Sequence, residues 1–285
     1  MVKRGDFLRT LYVSDLDGTL LGRDGKLSAY TARTLQALTR RGMCFSYATA
    51  RSLSSAQKVM GGIALPGPVI VYNGTFIRRT DGEILEARYF EADTAAFLRG
   101  AMATMGLSPV VYAYIGAREC VSYLAGAANP AVREYLAARP GDKRFRPVQG
   151  EDALYEGRSF YMTCMGEREQ VYPLYAALEG HKGVRVTFQR ELGSRYYWCE
   201  MMPPEATKAA AARALSRMLG CGRIVAFGDA VNDIPLLEAA DEGYAVGNAV
   251  PELKRVARGV IGANDEDGPA RFMAQDFLAR LENRA

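Results

Sequence analysis

Along the first eighty residues, short apolar runs alternate with segments whose apolar residues recur at helical spacing. Leu11 to Ser14 predicts a strand, Ser28 to Arg41 a helix, Met43 to Ala48 a strand, Ser52 to Met60 a helix and Pro68 to Tyr72 a strand. Ser28 can cap the first helix and Gly42 can end it. The order strand, helix, strand, repeated, is that of βαβ units and predicts a parallel sheet with helices on its faces.

The rhythm changes near Thr80. Asp81-Gly82 lies between Phe76-Ile77 and Ile84-Leu85, which predicts a hairpin. A helix from Thr94 to Met105 follows, then strands at Pro109 to Tyr114, Glu119 to Tyr123 and Ser159 to Cys164. A helix from Gln170 to Leu178 and a strand pair, Val184 to Gln189 and Tyr196 to Met201, complete the stretch. Runs of strands broken by occasional helices predict an α+β insert, with Pro140 to Glu151 as a loop inside it. After Pro203-Pro204 the first rhythm returns: a helix from Lys208 to Leu219, a strand at Arg223 to Phe227, a helix from Ile234 to Ala239, a short strand at Gly243 to Val246 and a closing helix from Arg271 to Arg284. The fold class is α/β, one parallel-sheet domain interrupted by a second domain.

Composition narrows the function classes. With 285 residues, 49% of them hydrophobic and 24% charged, the chain has the make-up of a soluble globular protein of two ordinary domains. A net charge of +4, spread among acidic residues, gives no basis for a nucleic-acid partner. No apolar stretch approaches membrane-spanning length, and the run Leu11-Tyr12-Val13 is too short for a signal-peptide core, so a cytoplasmic protein is expected. Five widely spaced cysteines, Cys44, Cys120, Cys164, Cys199 and Cys221, read as free thiols in a reducing compartment. His181 reads as a solvated loop residue, Tyr196, Tyr197 and Trp198 as packing, and Arg78-Arg79 and Lys143-Arg144-Phe145-Arg146 as solvated faces.

Two segments carry candidate chemistry. Asp15-Leu16-Asp17-Gly18-Thr19-Leu20 begins where the first strand ends, the position at which ligands gather in open α/β sheets. One carboxylate can attack phosphorus to give an aspartyl-phosphate while the other, two residues on, handles protons. The same six residues also suit a plain turn. Gly228-Asp229-Ala230-Val231-Asn232-Asp233 again follows an apolar strand. A dianionic phosphate and a carboxylate repel one another, and a hard divalent cation held by oxygen ligands removes that barrier. Asp229 suits direct ligation, whereas Asn232 and Asp233 either ligate, orient water or cap the following helix. Thr49 and Lys208, each beside a predicted core element, can donate to phosphoryl oxygens.

Taken together, these segments resemble the haloacid dehalogenase superfamily, and within it the Cof-type sugar-phosphate phosphatases. Ser14 to Leu21 looks like the first motif of that family, Ala48-Thr49-Ala50-Arg51 the second, Lys208 the third and Gly228-Asp229 through Asn232-Asp233 the fourth. Asn73-Gly74, Val246-Gly247-Asn248-Ala249 and Asn264-Asp265-Glu266-Asp267-Gly268 match further positions. The resemblance implies a Rossmann-like core in residues 1–83 and 201–285 with a C2-type α+β cap in 84–200. It implies Asp15 as nucleophile, Asp17 as general acid/base, and Mg2+ bound by Asp15, Asp17 (through its backbone carbonyl), Asp229 and Asp233. Thr49, Ala50, Lys208, Asn73 and Asn232 would face phosphate or substrate, and Asn248 would support the metal loop or the phosphate side. Two departures are Ala50, where the family often has Gly, and Pro269 after Asp267-Gly268. The implied activity is Mg2+-dependent hydrolysis of a small phosphorylated metabolite, a sugar or polyol phosphate, by a monomer or homodimer. A phosphosugar mutase and a non-catalytic phospho-ligand module are the alternatives.

Overall fold

The structure, a computed structural model, describes residues 9–63, 65–191 and 193–282. The chain divides into two compact units, one built from the stretch up to Ala87 and the stretch from Ala206 onward, the other from Arg88–Glu205.

The first unit opens with β1 (Thr10–Ser14), buried along its whole length as a strand covered on both faces must be. There follow α1 (Ala29–Arg40), β2 (Cys44–Tyr47), α2 (Leu53–Val59) and an antiparallel trio, β3 (Val69–Val71), β4 (Phe76–Arg78) and β5 (Ile84–Ala87). Ser28 and Ser52 cap the two helices, each hydroxyl accepting an amide three residues on.

The second unit comprises α3 (Ala92–Thr104), β6 (Val110–Ile115), β7 (Arg118–Leu124), α4 (Pro130–Ala137), β8 (Phe145–Val148), α5 (Glu151–Leu154), β9 (Arg158–Gly166), α6 (Arg168–Leu178), β10 (Arg185–Arg190) and β11 (Tyr197–Met202). The chain then returns to the first unit with α7 (Lys208–Met218), β12 (Arg223–Gly228), α8 (Ile234–Ala239), β13 (Glu242–Ala245), α9 (Pro251–Val256), β14 (Gly259–Val260) and α10 (Gly268–Glu282).

Strands of the core sheet run in the order β14-β13-β12-β1-β2, all parallel. On one face Leu11, Val13 and Ala226 pack with Ala211 and Leu215 of α7 and Leu236 and Leu237 of α8. On the other, Tyr12 meets Phe277 of α10 edge-on at 6.5 Å, and Phe227 meets Phe272 at 5.5 Å. The chain leaves β1 towards β2 on one side and later fills β12, β13 and β14 on the other. That reversal of strand order leaves a crevice at the carboxyl ends of β1 and β12.

In the second unit a six-stranded sheet, β10-β11-β9-β6-β7-β8, is antiparallel except between β7 and β8. Its core lies under α3 and α6, where Leu98, Met102, Val171 and Leu174 meet Val111, Met162 and Cys199. Tyr135 of α4 packs against Trp198 at 5.5 Å and shares a 2.6 Å hydrogen bond with Tyr112.

Several expectations are corrected. The stretch 140–151, expected as a loop, contains β8, which pairs in parallel with β7. Arg144, expected to be solvated, donates to Glu119 at 2.8 Å and to Asp142 at 2.6 Å, with only 20% of its side chain exposed. The elements α4, α9 and β14 were not anticipated, although Asn129 and Pro130 are a helix-opening pair. Pro269 sits in the first turn of α10, which starts three residues before the expected Arg271, and a missing amide hydrogen costs nothing there. All five cysteines are free, and His181 is exposed and stacked on Phe97. Among the described residues no helix is long and apolar enough to cross a membrane.

Candidate active site

Parallel pairing sets Ser14 level with Phe227 on one side and Tyr47 on the other. The residues just beyond these strand ends, Asp15, Asp229 and Thr49, therefore emerge side by side. Asp15 is fixed by its amide, which donates to Phe227 O at 3.0 Å. The next five residues, Leu16–Leu20, make one wide turn that folds back onto the end of β12.

Glycine is required in that turn. Gly18 has φ +77°, and a Cβ there would lie 2.3 Å from Asp229 Oδ2. Thr19, fully buried, donates its hydroxyl to Asp229 Oδ1 at 2.8 Å. Asn248 Nδ2 donates to Gly18 O at 2.8 Å and its Oδ1 accepts the Asn264 amide at 2.9 Å. Asn264 in turn donates to Leu21 O at 2.8 Å. The two asparagines thus pin the middle of the turn and the residue that leaves it.

Lys208, a distant residue in sequence, is brought in as the first residue of α7. Thr207 caps that helix, and Gly74 lies so close that a Cβ would stand 2.1 Å from Thr207 O. Lys208 is 4% exposed; its Nζ donates to Asp15 Oδ1 at 2.5 Å and to Asp233 Oδ1 at 2.7 Å. The other oxygen of Asp233 accepts the amides of Asp229 and Ala230 at 3.1 and 3.2 Å.

Asp15, Asp229 and Asp233 present carboxylate oxygens within 4.8 Å of one another. Three carboxylates against the one ammonium of Lys208 leave an excess of two negative charges. Burial raises the Asp15 carboxyl above its ordinary value, and the neighbouring Asp233 and Asp229 charges add to the rise while Lys208 opposes it. Burial also raises Asp229, against the hydrogen bond from Thr19. Burial disfavours the Lys208 charge as well, but Asp15 and Asp233 outweigh it and hold the ammonium above its usual range. Hard oxygen ligands and a deficit of two positive charges are what a magnesium ion satisfies, so the residues present fit that ion.

The remaining sequence candidates divide. Asp17 is half exposed and lies outside this group of three; Arg51 clasps it, with Nε to Oδ2 at 2.7 Å and Nη2 to Oδ1 at 2.6 Å. Thr49 is buried and its hydroxyl accepts the Arg51 amide at 3.1 Å, while Ala50 is exposed. Asn73 adopts a left-handed conformation, φ 53°, and its amide donates to Thr49 O at 2.8 Å. Its Oδ1 is buried and without a hydrogen-bond partner among the described residues. Asn232 is exposed, unlike its neighbour Asp233. Sequence reasoning missed Arg51 as a site residue, although it stands two places after Thr49 as Asp17 stands two after Asp15.

The sequence model of haloacid dehalogenase-like hydrolases matches residues 12–273. A protein named HMP-PP phosphatase from Yersinia enterocolitica is 28% identical over 263 residues, covering 91% of this chain and 92% of its own. Another of that name from Cronobacter sakazakii is 31% identical over 253 residues, 84% of each chain. Among solved structures, a haloacid dehalogenase-like hydrolase from Bacteroides thetaiotaomicron superposes with a TM-score of 0.74 at 23% identity, over 94% of this chain and 99% of that one. A Thermotoga maritima protein does so with a TM-score of 0.75 at 23% identity, over 93% and 96%.

Proposed function

Since this chain belongs to the haloacid dehalogenase-like hydrolase family and is a phosphatase of it, we propose that it hydrolyses a small phosphate monoester with Mg2+ by way of an aspartyl-phosphate on Asp15. The observation that carries this reading is the buried Asp15 carboxylate at the end of β1, ion-paired with Lys208 and facing Asp229 and Asp233.

Asp15, Asp229 and Asp233 would hold the magnesium, together with the Asp17 carbonyl expected from the family. When bound, the ion screens the carboxylates from an incoming phosphate and draws charge from its oxygens. Lys208 steadies Asp15 for attack and offers its ammonium to the phosphoryl group. Thr49 contributes a buried hydroxyl, the Gly18 turn offers backbone amides, and Asn73 and Asn232 are the candidates for substrate contact beside it. Attack by a carboxylate oxygen of Asp15 forms the O–P bond as the ester O–P bond breaks. Asp17 gives the leaving oxygen its proton and then removes one from the water that attacks phosphorus, releasing phosphate and restoring Asp15.

Arg51 bears on that proton work. Both Asp17 oxygens are engaged by its guanidinium, so Asp17 serves as acid only when Arg51 lets go. A phosphate dianion is the partner to which a guanidinium fork transfers, which couples substrate arrival to release of the acid.

The substrate is a small phosphorylated metabolite. Relatives named HMP-PP phosphatases, 26–31% identical to this chain, put HMP-PP ahead of the sugar and polyol phosphates as the first compound to test. The test is a phosphate-release assay over a panel of phosphorylated metabolites with and without Mg2+. Hydrolysis of at least one compound, dependent on Mg2+, is expected. Isomerised hexose phosphate with no net free phosphate would instead mark a mutase.

A further inference from the structure

In the second unit, α4, the turn after it and the hairpin that joins β10 to β11 border a cavity of about 140 Å3. Asn129 fixes one wall: its side chain caps α4 by accepting the Val132 amide and donates to Met165 O at 2.7 Å. The hairpin fixes the other, with the Glu191 amide donating to Tyr196 O at 3.0 Å and the Ser194 amide to Glu191 O at 3.1 Å. Tyr135, Tyr196 and Trp198 line the space with aromatic surface. Both tyrosines are buried, and Tyr135 is held edge-on to Trp198. A cavity of roughly 150 Å3 accepts a benzene molecule, so this one has room for a small organic ligand and not only for water.

Three charged side chains share the cavity with those rings: Glu134, Arg139 and Glu191. Arg139 lies over the Tyr135 ring at 4.2 Å and the Trp198 ring at 6.0 Å. Stacking occupies the face of a guanidinium and leaves its N–H edge for a planar acceptor. Among the described residues its one side-chain hydrogen bond runs from Nη1 to Tyr135 O at 3.0 Å, and no carboxylate pairs with it. Glu191 is half-buried, and its carboxylate has no hydrogen bond or ion pair among the described residues. Burial raises that carboxyl above its ordinary value, with the Arg139 charge opposing the rise and the Glu134 charge adding to it. The cavity thus holds an uncommitted guanidinium edge and an uncommitted carboxylate that do not satisfy each other.

We propose that this cavity binds a free amino acid with an apolar side chain, its carboxylate on Arg139, its ammonium on Glu191 and its side chain against Trp198 and Tyr196. The charge pattern selects that class. A simple anion would gain Arg139 but face two carboxylates, and a simple cation would gain Glu191 but face the guanidinium. A zwitterion meets both groups with opposite charge. Glu134, exposed at the rim, adds to the attraction for the ammonium. Aromatic walls keep water from competing for these contacts, which strengthens charge-assisted hydrogen bonds. None of the six residues belongs to the group around Asp15, so the proposal stands apart from the phosphatase mechanism.

Trp198 is the only tryptophan of the chain, so its fluorescence reports on this cavity. The test titrates the full chain with L-leucine, L-methionine and L-phenylalanine in turn. The controls are the amide of each, which lacks the carboxylate, and its N-acetyl form, which lacks the ammonium. The expected result is a saturable change in Trp198 emission with at least one amino acid, and binding weaker by about tenfold or more for both of its controls. Glu191→Gln and Arg139→Gln should each weaken binding by a similar factor while keeping the melting temperature of the unsubstituted chain. No saturable change with any of the three amino acids would overturn the proposal. So would an amide or N-acetyl form that binds as tightly as its amino acid, which would mark a site for a single charge, and so would an unchanged affinity in either variant. The comparison of ligands in the unsubstituted chain needs no variant, so a folding defect in one of them leaves the proposal open to refutation.

Discussion

At the residue scale the site is a problem in charge. Lys208 balances one of three clustered carboxylates, and its removal strands the buried Asp15 and Asp233 without a counter-ion. Breaking a buried pair from one side costs about 3–5 kcal/mol. Lys208→Met should therefore lower both the melting temperature and phosphatase activity, measured by calorimetry and phosphate release. Arg51→Gln separates function from stability. Its partner Asp17 is half exposed, and such a pair is worth only about 0–1 kcal/mol. The melting temperature should hold while kcat/KM falls by roughly tenfold or more, if Arg51 couples phosphate arrival to Asp17. An unchanged kcat/KM would remove Arg51 from the mechanism. Asp15, Asp229 and Lys208 were legible because each lies at the end or start of an element that its apolar neighbours announce. Arg51 was not, since an arginine after a threonine carries no periodic signal. Between Asn232 and Asp233 only burial decides, and burial within one polar turn is set by the tertiary fold.

At the element scale, legibility followed burial. Strands β1 and β12 are covered on both faces and read as unbroken apolar runs. Strand β8, Phe145–Val148, is mostly polar or half-exposed, and it forms because β7 offers a free edge and Arg144 ties its entry to Asp142 and Glu119. No local pattern records such a partner. The tie predicts a pH effect. Arg144 holds the Asp142 carboxyl below its ordinary value, although burial pushes the other way. A carboxyl depressed in the folded state stabilises above its unfolded value, near pH 4, and loses that contribution as pH falls through the folded value. The melting-temperature gap between the natural chain and Asp142→Asn should thus be constant from pH 7 to about 5 and shrink below about 4. A gap that widens on acidification would contradict the pairing.

At the scale of the whole molecule, the sequence pattern showed a parallel-sheet α/β unit interrupted by an α+β insert, and the structure has both, the insert's sheet being mostly antiparallel. What no pattern conveys is the substrate, because recognition of a leaving group depends on side chains brought together by folding. The metal is open to a direct thermodynamic test. An ion that binds only the folded state adds about 2.7 kcal/mol at a hundredfold excess over its Kd. Mg2+ should therefore raise the core melting temperature, with chelator reversing the rise, and Asp229→Asn should abolish most of it. An equal rise in Asp229→Asn would place the ion elsewhere.

The central claim is that Asp15 carries the phosphoryl group. The most direct measurement is an acid-quenched single turnover with a 32P-labelled phosphate ester and Mg2+, followed by borohydride reduction and peptide mapping. The account predicts transient, hydroxylamine-labile label whose reduction converts Asp15 to homoserine, with none in Asp15→Asn. Complete turnover with no covalent label at any time point, or label on a different residue, would contradict it.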